Sequence, residues 1–128
     1  MADNAIKILV VEDETSTREI TTYYLVEAGF DAVSFSSAYD ALKYLGENPL
    51  EEFNIMILDK IMPGIDGINL TKLLRFDLRY KHTPIIMITS VDNDDSRKEA
   101  KMAGVSEYIV KPVERDYLIK KIHDYLKK

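Results

Sequence analysis

ILDKIMPGIDG, residues 57–67, is the stretch of sequence that decides the fold. An apolar run leads directly into an acid, Asp59, and a Met-Pro-Gly turn breaks the chain soon afterwards. An aspartate at the end of a strand is often only a turn former, and it can equally be a carboxylate presented for chemistry. The other strands, and the residues at their ends, distinguish these two interpretations.

Five short apolar runs, each bounded by polar or turn residues, predict five β-strands. Runs that are apolar on nearly every residue are typical of parallel strands covered on both faces, whereas half-exposed strands alternate. We therefore expect these strands to be buried on both faces of one sheet. They cover residues 8–11, 32–35, 55–58, 85–88 and 108–110.

A segment of helical length follows each strand, and the ends of these segments carry capping signals. Gly29 and Gly46 stand where a C-terminal glycine would end the first and second helices. Ser37 with Asp40 resembles a capping box, and Asp66 can cap the third helix. The predicted helices cover residues 16–28, 37–45, 67–77, 94–104 and 114–127.

The alternation of strand and helix predicts an α/β fold, a doubly wound parallel sheet built from βα units. The expected architecture is flavodoxin-like, (βα)5, with strand order 2-1-3-4-5. In that order strands 1 and 3 are neighbours, and the ligand crevice lies beyond their carboxyl ends. The residues that follow these two strands are therefore the candidates for function.

Composition limits the class of protein. A chain of 128 residues has the length of one domain, so we expect a single domain over residues 1–128. The net charge of −5 disfavours direct binding to nucleic acid or to a membrane surface. The absence of cysteine excludes disulfides and thiolate chemistry. The N-terminal apolar run, residues 8–11, is too short for a signal sequence or a membrane span, so we expect a cytoplasmic protein.

Three acids stand at the ends of the two central strands. Glu12 and Asp13 follow strand 1, and Asp59 follows strand 3. Because these strands are neighbours in the expected order, the three carboxylates should converge on one crevice and repel each other unless a cation is present. Carboxylate oxygens in a partly hydrated crevice suit Mg²⁺, whereas zinc would require cysteine or a well-placed histidine. The sequence therefore predicts a magnesium site.

Two further polar residues end strands at the same edge. Thr89 ends strand 4 and offers a hydroxyl, and Lys111 ends strand 5 and precedes Pro112. A lysine ammonium can contact a phosphoryl oxygen, and an X-Pro bond is the one place where a cis peptide is cheap, which would aim Lys111 into the crevice. A nucleophilic carboxylate, a divalent-ion site, a hydroxyl and an ammonium are the parts required for phosphoryl transfer onto Asp59.

Together these residues resemble the receiver domain of two-component response regulators, the chemotaxis-type phosphoacceptor domain. The resemblance covers essentially the whole chain, and it implies a phosphoacceptor switch rather than an enzyme acting on an external substrate. It depends on five elements that occur in order along the chain. These elements are Glu12-Asp13, Asp59, Met62-Pro63-Gly64, Thr89 and Lys111-Pro112.

The resemblance implies a role for each of these residues. Asp59 would take a phosphoryl group from the phosphohistidine of a sensor histidine kinase or a phosphotransfer protein, in a reaction that depends on Mg²⁺. Thr89 and Lys111 would contact the phosphoryl oxygens. The implied metal ligands are Asp13, Asp59, the backbone carbonyl of Ile61 and, through water, Glu12.

The resemblance also implies a switch and an output surface. Tyr108 is similar to the family's switch aromatic, which turns inward when Thr89 moves toward the phosphate. The output surface would consist of helix 4, strand 5 and helix 5, and its effector is not indicated. Helix 4, opened by Asp94 or Asp95, has a thin apolar face, which predicts easy local movement. Helix 5 is apolar beyond one core stripe, so a phosphorylation-dependent homodimer and packing within the domain are both open interpretations.

Two features depart from the common family pattern. The first acid is Glu12 where an aspartate is commoner, and we expect metal binding to survive this change. Ile61 and Val91 lie two residues after Asp59 and Thr89, and neither side chain can orient a hydrolytic water. We therefore expect a long-lived acyl phosphate.

Three other interpretations of the same residues stand beside this one. A phosphatase with an aspartate nucleophile would resemble D-x-D, and its second acid would stand where this chain has Ile61. A flavodoxin-like FMN binder needs a neutral, hydroxyl-rich loop after strand 1, where Glu12, Asp13 and Glu14 would repel a flavin phosphate. In a purely structural interpretation, Asp59 is a turn residue and the acidic pair favours a helix N-terminus.

Overall fold

The computed structural model describes residues 5–127, in which five strands alternate with five α-helices. Residues 1–4 and Lys128, which the domain expected over residues 1–128 includes, lie outside this range. The strands are β1 (Lys7–Val11), β2 (Asp31–Phe35), β3 (Ile55–Asp59), β4 (Ile85–Thr89) and β5 (Glu107–Val110). The helices are α1 (Thr15–Glu27), α2 (Ala38–Glu47), α3 (Gly67–Phe76), α4 (Asp94–Ala103) and α5 (Arg115–Leu126).

The strands form one parallel sheet in the order β2-β1-β3-β4-β5. The flavodoxin-like fold and the strand order predicted from the sequence are therefore confirmed. The register pairs Val11 of β1 with Leu58 of β3, and Asp59 of β3 with Ile88 of β4. The carboxyl ends of these three central strands consequently meet at one edge of the sheet, and residues 12, 59 and 89 stand along that edge.

Helices cover both faces of the sheet. On one face α2 and α3 contribute Leu45 and Leu74 to a core cluster with β1 and β3. On the other face α1 and α5 contribute Leu25 and Ile122. Every residue of β3 and β4 is buried between these layers. Among the described residues, no helix has both the length and the apolar character that a membrane span requires.

The prediction that all strands are buried on both faces is wrong for the two edge strands. Asp31 and Ser34 of β2 are exposed, and within β5 only Ile109 is fully buried. An edge strand has a neighbouring strand on one side only, and here the helix layers cover it only in part. The mostly apolar runs of β2 and β5 therefore belong to partly buried edge strands and not to central ones.

Capping side chains begin three of the helices. The Ser37 hydroxyl accepts a hydrogen bond from the Asp40 amide at 3.1 Å, and Asp66 caps α3 in the same way, as predicted. The fourth helix begins at Asp94, as predicted, and its N-cap is Asn93. The Asn93 side chain accepts from the amide three residues on at 2.8 Å.

The second helix runs further than predicted. It continues through Gly46 and ends at Glu47, whereas a glycine was expected to stop it. Gly46 keeps a negative φ, so it is an ordinary helical residue here. Gly29 by contrast has φ 95°, the left-handed conformation that ends α1 as predicted.

The fourth helix rests on the rest of the domain through a narrow face. Its buried residues are Ser96, Ala100 and Ala103, so the predicted thin contact face is confirmed. At its C-terminal end the carbonyl of Gly104 accepts two hydrogen bonds from the guanidinium of Arg75 in α3, from Nε at 3.1 Å and from Nη2 at 2.6 Å. The contact with α3 therefore holds that end of α4.

Two arginines organise the chain between α3 and β4, a role that the sequence did not indicate. Besides Gly104, Arg75 donates to the carbonyl oxygens of Tyr80 and Thr83 at 2.8 and 2.7 Å. Arg79 lies in a short 3-10 helix, Leu78–Tyr80, that was not predicted. It pairs with Asp77 at 2.8 Å and donates to the carbonyl oxygens of Leu45, Asn48 and Glu51.

Candidate functional site

The three acids predicted to converge do meet at the carboxyl edge of the sheet. Glu12, Asp13 and Asp59 each place a carboxylate oxygen within 4.8 Å of the other two. Glu12 and Asp59 are almost fully buried, at 4% and 5% exposure, whereas Asp13 is open to solvent. The cluster therefore has a buried side and a hydrated side.

Neighbouring backbone fixes the position of these carboxylates. The Glu12 amide continues the β1–β2 ladder by donating to the Phe35 carbonyl at 3.0 Å. Its carboxylate accepts from the Glu14 amide at 3.1 Å. On the β3 side, the Gly67 amide donates to the Lys60 carbonyl at 2.8 Å, which brings the start of α3 against the end of β3. The site is therefore built on rigid strand ends.

Gly67 is required for this close approach. A Cβ atom on Gly67 would lie 2.2 Å from the Asp59 carbonyl oxygen, much closer than any real contact. From the sequence, Gly67 is recognisable only as the first residue of a helix. The only sequence signal is that Gly67 is a second glycine soon after the Met-Pro-Gly turn. A sequence pattern does not show which backbone atoms a glycine will approach.

The predicted lysine faces the acidic cluster. The Lys111 ammonium lies 3.1 Å from Glu12 Oε1 and 3.6 Å from Asp59 Oδ2. The Lys111 amide donates to the Thr89 carbonyl at 2.9 Å, so the end of β5 is tied to the end of β4. The Lys111–Pro112 peptide bond is cis. The structure therefore brings side chains 12, 13, 59 and 111 together from three separate parts of the sequence.

The electrostatics of the cluster follow from burial and crowding. Burial raises the pKa of Asp59 to about 8, and the hydrogen bond and charge of Glu12 add to the shift, while Lys111 opposes it. Burial alone would lower the pKa of Lys111, but its partners Glu12 and Asp59 raise it instead. One ammonium thus faces more negative charge than it can neutralise, so the site has unsatisfied affinity for a cation.

The donor set fits Mg²⁺. It offers hard carboxylate oxygens from Glu12, Asp13 and Asp59, with Asp13 on the hydrated side, and a magnesium ion keeps several waters while binding one or two carboxylates. The backbone of Ile61 lies beside the cluster, since its amide approaches Asp59 Oδ1 at 3.4 Å. The Ile61 side chain points outward and is 59% exposed.

Thr89 and Tyr108 are linked through the backbone of one residue, Val91. The Thr89 hydroxyl, buried at the end of β4, accepts from the Val91 amide at 3.1 Å. The Tyr108 hydroxyl donates to the Val91 carbonyl at 2.6 Å. A chain of two hydrogen bonds therefore connects the end of β4 with β5.

Ser96 completes this link, and sequence reasoning missed it. Its hydroxyl lies 2.6 Å from that of Tyr108 and is nearly buried. The Arg97 guanidinium stacks over the Tyr108 ring at 4.8 Å. A serine in a polar helix gives no sequence signal for such a contact, because only the packing of α4 on β5 aligns the two hydroxyls.

The fold and the site define a doubly wound α/β domain whose acidic cluster and lysine meet at the switch point of the sheet. The family model of the response regulator receiver domain matches residues 8–123. The chain therefore belongs to the response regulator receiver domain family.

Individual relatives agree with this assignment. The chain is 36% identical over 116 residues to the chemotaxis protein CheY of Pseudomonas aeruginosa, covering 91% of this chain and 92% of that protein. It is 37% identical over 115 residues to the response regulator protein FleR of the same organism, covering 90% of this chain but only 23% of FleR. Among solved structures, a putative response regulator from Chloroflexus aurantiacus superposes with a TM-score of 0.89 at 28% identity, covering 98% of this chain and all of that one.

Proposed function

We propose that this receiver domain accepts a phosphoryl group onto Asp59 from the phosphohistidine of a sensor histidine kinase or a phosphotransfer protein. The observation that carries the proposal is the meeting of three carboxylates within 4.8 Å, with the Lys111 ammonium 3.6 Å from Asp59. Family membership supports the same role, since receiver domains act as phosphoacceptor switches and receive phosphate from such kinases.

In the proposed reaction the Asp59 carboxylate attacks the phosphorus of the phosphohistidine. A new oxygen–phosphorus bond forms, the phosphorus–nitrogen bond breaks, and the imidazole leaves with the electron pair of that bond and takes up a proton. Lys111 and the Thr89 hydroxyl stabilise the negative charge on the phosphoryl oxygens as it is transferred.

Glu12, Asp13, Asp59 and the backbone of Ile61 are the groups that would hold Mg²⁺. The ion would supply charge neutralisation for the incoming phosphoryl group and would keep Asp59 ionised at neutral pH. Because burial raises the pKa of Asp59 to about 8, a nearby cation is needed for the carboxylate to be the dominant form.

The donor would approach beside α1. A cavity of about 470 Å³ opens next to Lys111. Apolar side chains form most of its lining, Ile20, Tyr24, Pro112 and Val113, together with the polar residues Glu14 and Thr17. Ile20 is about half exposed. An apolar surface next to the lysine suits a helix that presents a phosphohistidine, so we place the kinase or phosphotransfer protein there.

The proposed output runs from Thr89 through Val91 to Tyr108 and the surface of α4, β5 and α5. That surface would signal to an effector or form a phosphorylation-dependent homodimer, and Tyr117 of α5 remains 43% exposed there. We place these events in the cytoplasm, where the catalytic part of such a kinase would meet its ATP.

Hydrolysis of the acyl phosphate should be slow. The side chains of Ile61 and Val91 carry no carboxyl or carboxamide group to orient an attacking water. The test is the decay of the phosphoprotein in Mg²⁺ after the phosphodonor is removed, followed by intact mass. Persistence over hours agrees with the proposal, and complete loss within minutes contradicts it.

Phosphorylation itself is tested by intact mass after treatment with acetyl phosphate and Mg²⁺. The wild type should gain one phosphoryl group, and Asp59→Asn should gain none. Asp40→Asn, which changes an exposed aspartate on α2, is the matched control and should behave as the wild type. Gain of the group by Asp59→Asn, or no gain by the wild type, would contradict the assignment.

A further inference from the structure

An exposed apolar patch lies on the outer side of α3 and on the segment that follows it. Leu73, Phe76 and Leu78 are 45%, 85% and 87% exposed. Leu73 and Phe76 are about one helical turn apart and share a face of α3, and Leu78 begins the 3-10 helix two residues later. We call these three residues the α3 patch. Clustered exposed apolar side chains of this kind mark interaction sites.

The backbone that carries the patch is held rigidly. Arg75 precedes Phe76 and is bonded to carbonyl oxygens of three other segments. Asp77, between Phe76 and Leu78, accepts from the Arg79 amide at 3.0 Å and pairs with the Arg79 guanidinium. A surface that is already ordered loses little conformational entropy on binding, so the patch is preorganised for a ligand.

The patch lies far from the acidic cluster. Helix α3 begins at Gly67, against the backbone of Asp59, and runs antiparallel to the strands toward the amino edge of the sheet. Ten helical residues span about 15 Å. A ligand on the α3 patch therefore leaves the crevice at Asp59 open.

The surroundings of the patch are basic although the chain carries a net charge of −5. Residues 72–82 contain four cationic side chains and one acid, Asp77, which Arg79 already neutralises. The negative charge of Glu52, in the loop before β3, also interacts with Arg79. With Asp77 and Glu52 both counted against the four cationic side chains, the net charge around the patch remains positive. Lys72 and Lys81 are exposed, and in the sequence they flank the patch, next to Leu73 and three residues after Leu78.

We propose that the α3 patch docks an acidic, apolar peptide segment of a partner protein. Apolar side chains of the segment cover Leu73, Phe76 and Leu78, and its carboxylates face Lys72 and Lys81. A second copy of this chain in a two-fold arrangement would bring the same lysines against each other. An extended anionic membrane would also face the acidic remainder of the chain, whose net charge is −5, whereas a short peptide meets only the basic surroundings of the patch. The docking is independent of the phosphoacceptor role, so it holds whether or not Asp59 is phosphorylated.

The test uses a synthetic amphipathic peptide with leucine and phenylalanine on one face and glutamate on the other, and a second peptide with lysine replacing every glutamate. Titration is followed by amide NMR shifts. The acidic peptide should shift the amides of residues 72–82 and bind at least about tenfold more tightly than the basic peptide at low salt. The double variant Phe76→Ser, Leu78→Ser should lose this binding while keeping the thermal stability and the acetyl phosphate reaction of the wild type.

Tyr39→Ser is the matched control, because Tyr39 is 68% exposed on α2, and it should bind the acidic peptide as the wild type does. Asp59→Asn should bind equally well. Absence of shifts in residues 72–82, or binding retained by the double variant, overturns the proposal. Self-association in sedimentation, or binding to phosphatidylglycerol vesicles, that the double variant loses would overturn it in favour of a second copy or a membrane.

Discussion

The hydrogen bonds of the Tyr108 hydroxyl allow a direct test of how β5 is coupled to α4 and to the loop that follows β4. It has one proton, which it donates to the Val91 carbonyl at 2.6 Å, so the Ser96 hydroxyl at 2.6 Å must be the donor of the second bond. Tyr108→Phe therefore leaves two polar groups, the Val91 carbonyl and the Ser96 hydroxyl, without their partner. Ser96→Ala removes only the second bond.

The expected magnitudes follow from this count. Leaving a buried polar group unpaired costs about 1–3 kcal/mol, and a net hydrogen bond contributes about 1 kcal/mol. Tyr108→Phe should lower the free energy of unfolding by about 2 kcal/mol and Ser96→Ala by about 1 kcal/mol. The double variant should lose less than the sum, because Ser96→Ala removes a group that Tyr108→Phe would otherwise orphan. The coupling energy should be about 1 kcal/mol.

Urea unfolding followed by circular dichroism measures all four proteins of this cycle. Tyr23→Phe, at a tyrosine that is 62% exposed, is the control and should be neutral. The same variants should be titrated with beryllofluoride in Mg²⁺, because Tyr108 holds the Val91 carbonyl and the amide of the same residue is bonded to Thr89. Tyr108→Phe should change the affinity for this phosphoryl analogue. Strict additivity of the two substitutions would refute the reasoning.

Three further predictions concern the site and its supports. Without metal, stability should fall as pH rises from about 4 to about 8, because over this range Asp59 ionises in the unfolded chain but keeps its proton in the folded one. Asp59→Asn should be less pH-dependent and about 1–3 kcal/mol more stable at pH 8 by urea unfolding in EDTA. Gly67→Ala should cost at least about 2 kcal/mol by the same assay, and Gly46→Ala, which meets no atom, should not. Arg75→Met should speed amide exchange at the C-terminal end of α4, and Lys72→Met should leave it unchanged.

The sequence predicted most of the fold because the determining signals are local. Apolar runs located every strand, and the alternation of strand and helix, with short connections, led to the order β2-β1-β3-β4-β5. Element ends were less predictable. Gly46 was expected to stop α2 but stays helical, since a glycine ends a helix only where the backbone turns left-handed. The short 3-10 helix was missed because its stability comes from Arg79 and distant carbonyl groups.

Some contacts of the candidate site could likewise be predicted from the sequence, and others could not. The convergence of Glu12, Asp13, Asp59 and Lys111 could be predicted, because parallel strands bring their carboxyl ends to one edge. The contact of Ser96 with Tyr108 could not be predicted, since it depends on how α4 lies over β5. The metal ligands and the roles of Thr89 and Tyr108 remain predictions.

The hydrogen bonds from Arg75 to the Gly104 carbonyl have a mechanical consequence for α4. They make that terminus a pivot, while the opposite terminus, near Asn93 and Ser96, adjoins the loop that leaves Thr89. A rearrangement of that loop would rotate α4 about its C-terminal end. The displacement would be largest near Asn93 and smallest near Gly104. An effector that binds the N-terminal half of α4 would therefore respond to phosphorylation. An effector that binds only the C-terminal half would not.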